Sequence, residues 1–236
     1  MKNRVCILLT TTALALSACY SDIAIGVVDE DLLCSNGTLK VVGTGPIVTE
    51  SIYLGDFKKV INLQGVDVRI SQGNEQIVTA TGHANVINRL ESEVNHGGWT
   101  IALEEGCYSS FELSIDIVLP ELEQVVSKSS GDITINGFDA MENLGITSWS
   151  SGNIKANSGF GDLQNLRIDT RGSGDLNLYE IPVKHATIYS AGSGECNVRV
   201  QNNLDVTIKG SGNVNYQGAP SITQQIIGSG QVVNAN

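Results

Sequence analysis

Three carboxylates in this chain are spaced so that they could do chemistry. Asp132, Asp175 and Glu195 each stand one residue after a Ser-Gly pair, and Arg171 and Lys209 lie close to the same pairs. Clustered acids beside a basic residue are what proton transfer at a glycosidic bond requires. Stacked carboxylates could also hold a cation or raise one partner's pKa. The competing reading is a solvated polar face, because Asn153 and Asn213 occupy the same position in neighbouring Ser-Gly segments and dilute the charge. We adopt that reading and keep a glycan-active enzyme with an acidic corner as the alternative.

Other reactive side chains form no constellation. His83, His96 and His185 are scattered without metal-ligand spacing. The serines of the Ser-Gly pairs have no histidine partner, and hydrogen bonding to the backbone or to each other is the expected role for hydroxyls at tight corners. Gly-Ser-Gly lacks the strand-loop-helix setting and the lysine of a phosphate-binding loop. The expectation is therefore no catalytic residue, no metal and no cofactor. Five cysteines sort by position. Cys6 lies in an apolar leader and Cys19 at its end. Cys196 falls in an apolar column, where a thiol acts as a small hydrophobe. Cys34 and Cys107 are left as the sensible disulfide pair in an oxidising compartment.

The elements that would position these residues come from a repeat. Ser-Gly, a polar residue and then apolar-x-apolar recur at Ser130-Gly131, Ser151-Gly152, Ser173-Gly174, Ser193-Gly194, Ser211-Gly212 and Ser229-Gly230, spaced by 21, 22, 20, 18 and 18 residues. Two positions after the glycine stand Ile133, Ile154, Leu176, Cys196, Val214 and Val232; six before it stand Val125, Ile146, Ile168, Ile188, Val206 and Gln224. Each unit thus reads as two short alternating strands meeting at a corner. The glycine would supply a positive φ or a close backbone approach. Such a unit is too short for a propeller blade or a strand-helix-strand crossover. Stacking like on like would bury the apolar columns in one continuous core. The expected fold is all-β, a right-handed parallel β-helix (β-solenoid), regular from about residue 122; a β-sandwich of repeated hairpins is the rival.

Ahead of the regular units the pattern loosens. Gly65 to Ile70, Gly98 to Leu103 and Phe111 to Ile117 alternate and read as irregular N-terminal coils of the same solenoid, and Val86 to Val94 as a weak helical turn. The domain expectation is a signal peptide over 1–18, a tether over 19–43 and one β-helix domain over 44–236.

The formal charge is −11, and setting aside Lys2 and Arg4 leaves 12 basic against 25 acidic side chains. A body this acidic repels phosphate backbones, which excludes nucleic acid as an expected partner. Met1 to Arg4 is a short positive segment, Val5 to Leu16 an apolar run too short to span a bilayer, and Leu16-Ser17-Ala18-Cys19 closes it. These last four residues resemble the lipobox of bacterial lipoproteins, which implies acylation of Cys19 and a membrane partner through the lipid anchor. Ordinary cleavage after Ala13-Leu14-Ala15 is the alternative. Tyr20 is not the aspartate linked to inner-membrane retention in lipoproteins of enterobacterial type, so the expected location is the cell envelope, at the outer membrane.

The run Ile115 to Leu122, then Ser129-Ser130-Gly131-Asp132-Ile133-Thr134-Ile135 and the serial Gly-Ser-Gly segments, resembles the DUF2807 family of auto-transporter adhesin head GIN domains. Phe57, Val60 and Gly65 to Gly73 match its opening pattern. The resemblance covers about residue 50 to the end and implies a parallel β-helix in secreted or surface-attached bacterial proteins, without established catalysis. The sequence stops soon after Gly230 without a barrel-like segment, so delivery by the lipid route is expected rather than self-transport. The function expected from all this is a non-catalytic envelope module for adhesion or structure. Its partners would be glycan, protein or, through an open β edge, its own copies.

Overall fold

A computed structural model describes residues 37–139 and 141–236 together with Cys34. Within them the chain is all-β, with nineteen strands and one four-residue helix, Ala84–Ile87. Seventeen strands form a large mixed sheet that is not closed into a barrel, and Lys40–Val42 with Cys107–Ser109 form a separate parallel pair. No helix among the described residues is long and apolar enough to cross a membrane.

Each repeat unit contributes a strand leading into its Ser-Gly corner and a strand trailing from it. The leading strands Gln124–Ser127, Asn143–Ser148 and Leu163–Thr170 pair in parallel, each with its equivalent in the next unit, so that Val125 faces Ile146 and Ile146 faces Ile168. The ladder continues through the later parts of Leu176–Ser190 and Cys196–Ile208 to Ser221–Ile226. The trailing strands do the same: Ile133 aligns with Ile154, Ile154 with Leu176, Leu176 with Cys196, Cys196 with Val214 and Val214 with Val232. Parallel pairing at one unit's separation rules out the sandwich of hairpins for this part of the chain.

Strand alternation then decides burial. In the units leading to Gly152, Gly174, Gly194 and Gly212, positions eight, six and four before the glycine are buried, and those seven, five and three before it point outward. Leu166, Ile168 and Leu176 are buried, as are Ala186, Ile188 and Cys196 in the following unit. A fully buried Val, Leu or Ile stabilises by roughly 1.5–3 kcal/mol, and here these side chains form one continuous cluster running from Phe57 to Val214. The last unit departs from the pattern: Ile222 and Ile226 are exposed and strand Ser221–Ile226 is exposed along its whole length.

The N-terminal half departs more. The sequence suggests irregular coils of the same solenoid, and the structure stacks these strands out of chain order and only partly in parallel. Strands Lys59–Asn62 and Asp67–Gln72 lie between the regular units and a later segment, pairing with Gln124–Ser127 and Ile133–Ile135 on one side and with Gly98–Ile101 and Leu113–Leu119 on the other, all in parallel. Beyond them the direction reverses. Ile77–His83 runs antiparallel to Leu113–Leu119, Ile47–Ser51 antiparallel to Ile77–His83, and Val94–Asn95 antiparallel to Gly98–Ile101. The last of these is a tight hairpin through His96 and Gly97, at φ of 52° and 71°, the left-handed pair that matches strand twist in a two-residue turn.

The expected helical turn is shorter and earlier, at Ala84–Ile87. The end of the expected tether is not free, because Lys40–Val42 is a paired strand. Trp99 and Phe57, with ring centroids 5.8 Å apart, fill the core where the two halves meet.

Candidate functional site

At the corner, packing follows from how closely the units approach. Gly131, Gly152, Gly174, Gly194, Gly212 and Gly230 are buried, and none has a positive φ. Their role is close approach: a Cβ on Gly174 would overlap the carbonyl oxygen of Gly152, and one on Gly194 that of Gly174. The serines beside them, Ser130, Ser151, Ser173, Ser193, Ser211 and Ser229, are exposed. Among the described residues their hydroxyls make no hydrogen bond, which corrects the expectation that they satisfy one another or the backbone. They point to solvent because the glycine, not the serine, faces the neighbouring unit.

The acidic corner has a structural occupation. The Asp67 side chain accepts a hydrogen bond from the Asp132 backbone N–H at 3.0 Å, Asp132 from that of Asn153 at 2.8 Å, Asn153 from that of Asp175 at 3.0 Å, and Asp175 from that of Glu195 at 2.8 Å. Each short side chain caps the backbone of the next unit, as an Asx turn does within one chain segment. Glu195 is longer and accepts from the Asn215 amide instead. Asp175 and Glu195 are neighbours in this ladder, with one Asp175 oxygen engaged by backbone. Among the described residues no group of three or more His, Cys, Asp or Glu is placed to hold a metal ion.

A second hydroxyl column lies inside. Four positions before the corner glycine stand Ser127, Ser148, Thr170 and Ser190, all buried, with Asn62 aligned to Ser127. The Ser150 hydroxyl lies 3.0 Å from that of Ser127 and 3.4 Å from that of Ser148. In the next two units Gly172 and Gly192 replace Ser150, and the Thr170 and Ser190 hydroxyls are buried without a partner. The column was readable from its parity with the apolar positions, but polar residue types drew the reading away from it. Cys196 is fully buried and free, and burial pushes its thiol up to about 12.

The outward face of the leading strands carries an arrangement that sequence reasoning did not assemble. Lys128 Nζ lies 5.1 Å from the centre of the Trp149 ring, and the Arg171 guanidinium 4.8 Å from it on the following unit. Arg171 also lies 5.5 Å from the Tyr189 ring, and Lys209 Nζ is 5.5 Å from the same ring. Asp169 holds Arg171 through two bonds of 2.9 and 3.0 Å, and accepts from the Trp149 indole at 3.4 Å. The Arg171 hydrogen bonds, with a smaller contribution from the indole, keep the Asp169 carboxyl below its ordinary value. Cations and rings therefore alternate along this face. Only Arg171 and Lys209 of this set drew attention in the sequence. Trp149 and Tyr189 sit in different columns, so no ladder of like residues marks them. Beside the stack, Gly172, Gly192 and Gly210 floor an open notch of about 440 Å³ walled by Ser173, Ser193 and Ser211.

Elsewhere, a cleft of about 570 Å³ opens where the two halves meet, lined by Lys58, Lys59, Glu75, His96, Glu121 and Glu123 among others. Lys58 is paired there with Glu121 and, at 3.8 Å, with Glu123. The three histidines do not converge. His96 is in the hairpin and His185 is exposed on strand Leu176–Ser190, while the His83 Nδ1 accepts a bond from the Glu112 backbone N–H at 3.1 Å. A disulfide joins Cys34 and Cys107, with Cα atoms 6.2 Å apart. Cys19 and the segment before it lie outside the described residues.

The model of the DUF2807 family, "Putative auto-transporter adhesin, head GIN domain", matches residues 56–220. A crystal structure described as a putative adhesin from Bacteroides fragilis NCTC 9343 superposes with a TM-score of 0.69 at 20% identity, covering 82% of this chain and 99% of that one. One described as a putative lipid binding protein from Parabacteroides distasonis ATCC 8503 gives 0.54 at 22% identity, over 84% and 100%. A third, a putative adhesin from Parabacteroides merdae ATCC 43184, gives 0.50 at 18%, over 84% and 99%. No curated protein matches the sequence. At these identities the structures speak for the fold.

Proposed function

We propose that this chain, which belongs to the DUF2807 family, is a non-catalytic binding module of the bacterial cell envelope. In this reading residues 1–18 are a signal peptide and Cys19 carries lipid at the outer membrane. Residues 19–43 lead to a domain over 44–236 whose stacked units wind as a right-handed parallel β-helix. The partner is a glycan or a protein, and copies can associate through the exposed strand Ser221–Ile226.

The observation that carries the proposal is how the corner is used. Two of the three carboxylates that could have served catalysis, Asp132 and Asp175, hold the backbone of the next unit, while the outer columns stand in register on a frame with a continuous core. A rigid, repetitive exterior of this kind suits recognition, since little order has to be imposed when a partner binds. Family membership points the same way.

The test is a binding array of envelope glycans, lipids and surface proteins probed with the full chain in mild detergent. Lipids are included because one of the similar structures is described as lipid binding. Saturable binding without turnover is expected. Cleavage of an arrayed glycan that is lost in Asp175→Asn and Glu195→Gln would overturn the reading in favour of an enzyme. Metabolic labelling with a fatty-acid analogue tests the anchor: label on the wild type and none on Cys19→Ala is expected, and equal label on both removes it.

A further inference from the structure

We infer that the alternating stack of cations and rings on the outer face of the leading strands is a binding strip for a sparsely charged anionic polysaccharide. The inference rests on the binding-module reading and names the ligand class and the site. Lys128, Arg171 and Lys209 occupy one column, separated by Trp149 and Ala191, so a positive charge recurs in every second unit. With strands about 4.8 Å apart, successive cations stand roughly 10 Å apart along the strip.

That interval discriminates among linear anions. A nucleic acid strand carries a charge about every 3.4 Å, far denser than the strip can match, and the acidic remainder of the protein repels so dense a charge. A glycan with one carboxylate or sulfate per disaccharide spreads its charges at about the interval of the cations. Its hydroxyl groups suit the flanking notch, where Ser193 and Ser211 are exposed beside Ala191. The small side chain of Ala191 leaves room for an anionic substituent between Arg171 and Lys209.

The cations are also pre-organised. Asp169 and the rings of Trp149 and Tyr189 fix Arg171, and Tyr189 also holds Lys209. Arg171 uses two of its five N–H donors on Asp169, which leaves the others for a ligand. Among the described residues Lys128 and Lys209 have no carboxylate partner. Holding these side chains in place lowers the entropy lost on binding.

The chain carries its own reporter. Trp99 is fully buried and Trp149 is 45% exposed within the strip, so a ligand-induced change in tryptophan emission comes from Trp149. Titration of the full chain in mild detergent with hyaluronan, which has one carboxylate per disaccharide, should give saturable, salt-sensitive binding. Neutral dextran, polyglutamate and single-stranded DNA should bind far less. Arg171→Gln with Lys209→Gln should weaken hyaluronan binding by about tenfold or more, Lys209→Arg should retain it, and Lys155→Gln with Lys184→Gln, an equal charge change elsewhere, should leave it unaltered.

No saturable hyaluronan binding, equal loss in the two double variants, or equal affinity for dextran, polyglutamate or DNA would overturn the inference. If the array finds a neutral glycan or a protein while hyaluronan fails, the strip falls and the binding-module reading stands.

Discussion

From Gln124 to Gln217 every strand finds a partner one unit further on, running in the same direction and in register apart from shifts between Leu178 and His185. Between Lys40 and Leu119 the chain works differently. It places a unit out of order, turns back on itself in three antiparallel strand pairings and is tied through Cys107 to Cys34. The contrast shows what a repeat supplies and what it lacks. A unit in the middle of a ladder has both edges covered by copies of itself, but the first unit has no predecessor. Its open edge needs a dissimilar partner, and a strand of opposite direction covers it without presenting the same edge again.

If the halves are held by different means, they should fail differently. The largest effect is expected at the aromatic junction: Trp99→Ala should cost about 3–5 kcal/mol. Hydrogen exchange should show protection lost first in Gly98–Ile101 and Lys59–Asn62. Equal loss in Cys196–Ile208 would mean that the halves unfold as one and would break the comparison. Next comes the corner. Gly174→Ala places a methyl group against the Gly152 carbonyl and should cost about 3 kcal/mol. Gly55→Ala in the N-terminal half, where the added methyl would come no nearer than 3.9 Å to its closest neighbour, should change stability by less than about 0.5 kcal/mol in the same denaturant titration.

Smaller effects sharpen the picture. Thr170→Val removes a buried hydroxyl without a partner while keeping the shape of the side chain, and should stabilise by about 1 kcal/mol; a destabilised variant would show that the hydroxyl is satisfied. The smallest concerns Asp169. Its folded pKa lies below the ordinary value of 3.8, so its pairing with Arg171 stabilises above that value and the contribution is lost as pH falls through the folded one. Because Arg171 is half exposed, solvent screens the pair and the contribution should be small. Arg171→Gln should therefore melt slightly below wild type at neutral pH, with the two Tm values converging on acidification.

Much of the regular half was legible because its information is local. The spacing of Gly131 to Gly230 aligns Ile133, Ile154, Leu176, Cys196 and Val214 in one column, and burial follows from strand parity alone. The N-terminal half was legible only as strands. Pairing Asp67–Gln72 with both Ile133–Ile135 and Leu113–Leu119 depends on contacts many residues apart that no periodicity announces. The candidate surface was harder still. Asp132, Asp175 and Glu195 stood out by type, yet the short side chains of Asp132 and Asp175 serve the backbone and Glu195 accepts from the Asn215 amide. Trp149 and Tyr189 became neighbours of Arg171 only through register, since each ring comes from a different unit than the cation and Tyr189 from a different column as well. The Ser127, Ser148, Thr170 and Ser190 column had the right parity throughout and was passed over for being polar.

Because Gly174 meets Gly152 through the same close contact by which Gly194 meets Gly174, removing or duplicating one complete repeat unit there leaves the corner contacts with their proper counterparts. The molecule is in effect a ruler, adjustable in increments of about 4.8 Å. Its length, and with it the number of graduations along its outer edge, can drift over evolutionary time by whole steps while the end that closes it stays the same.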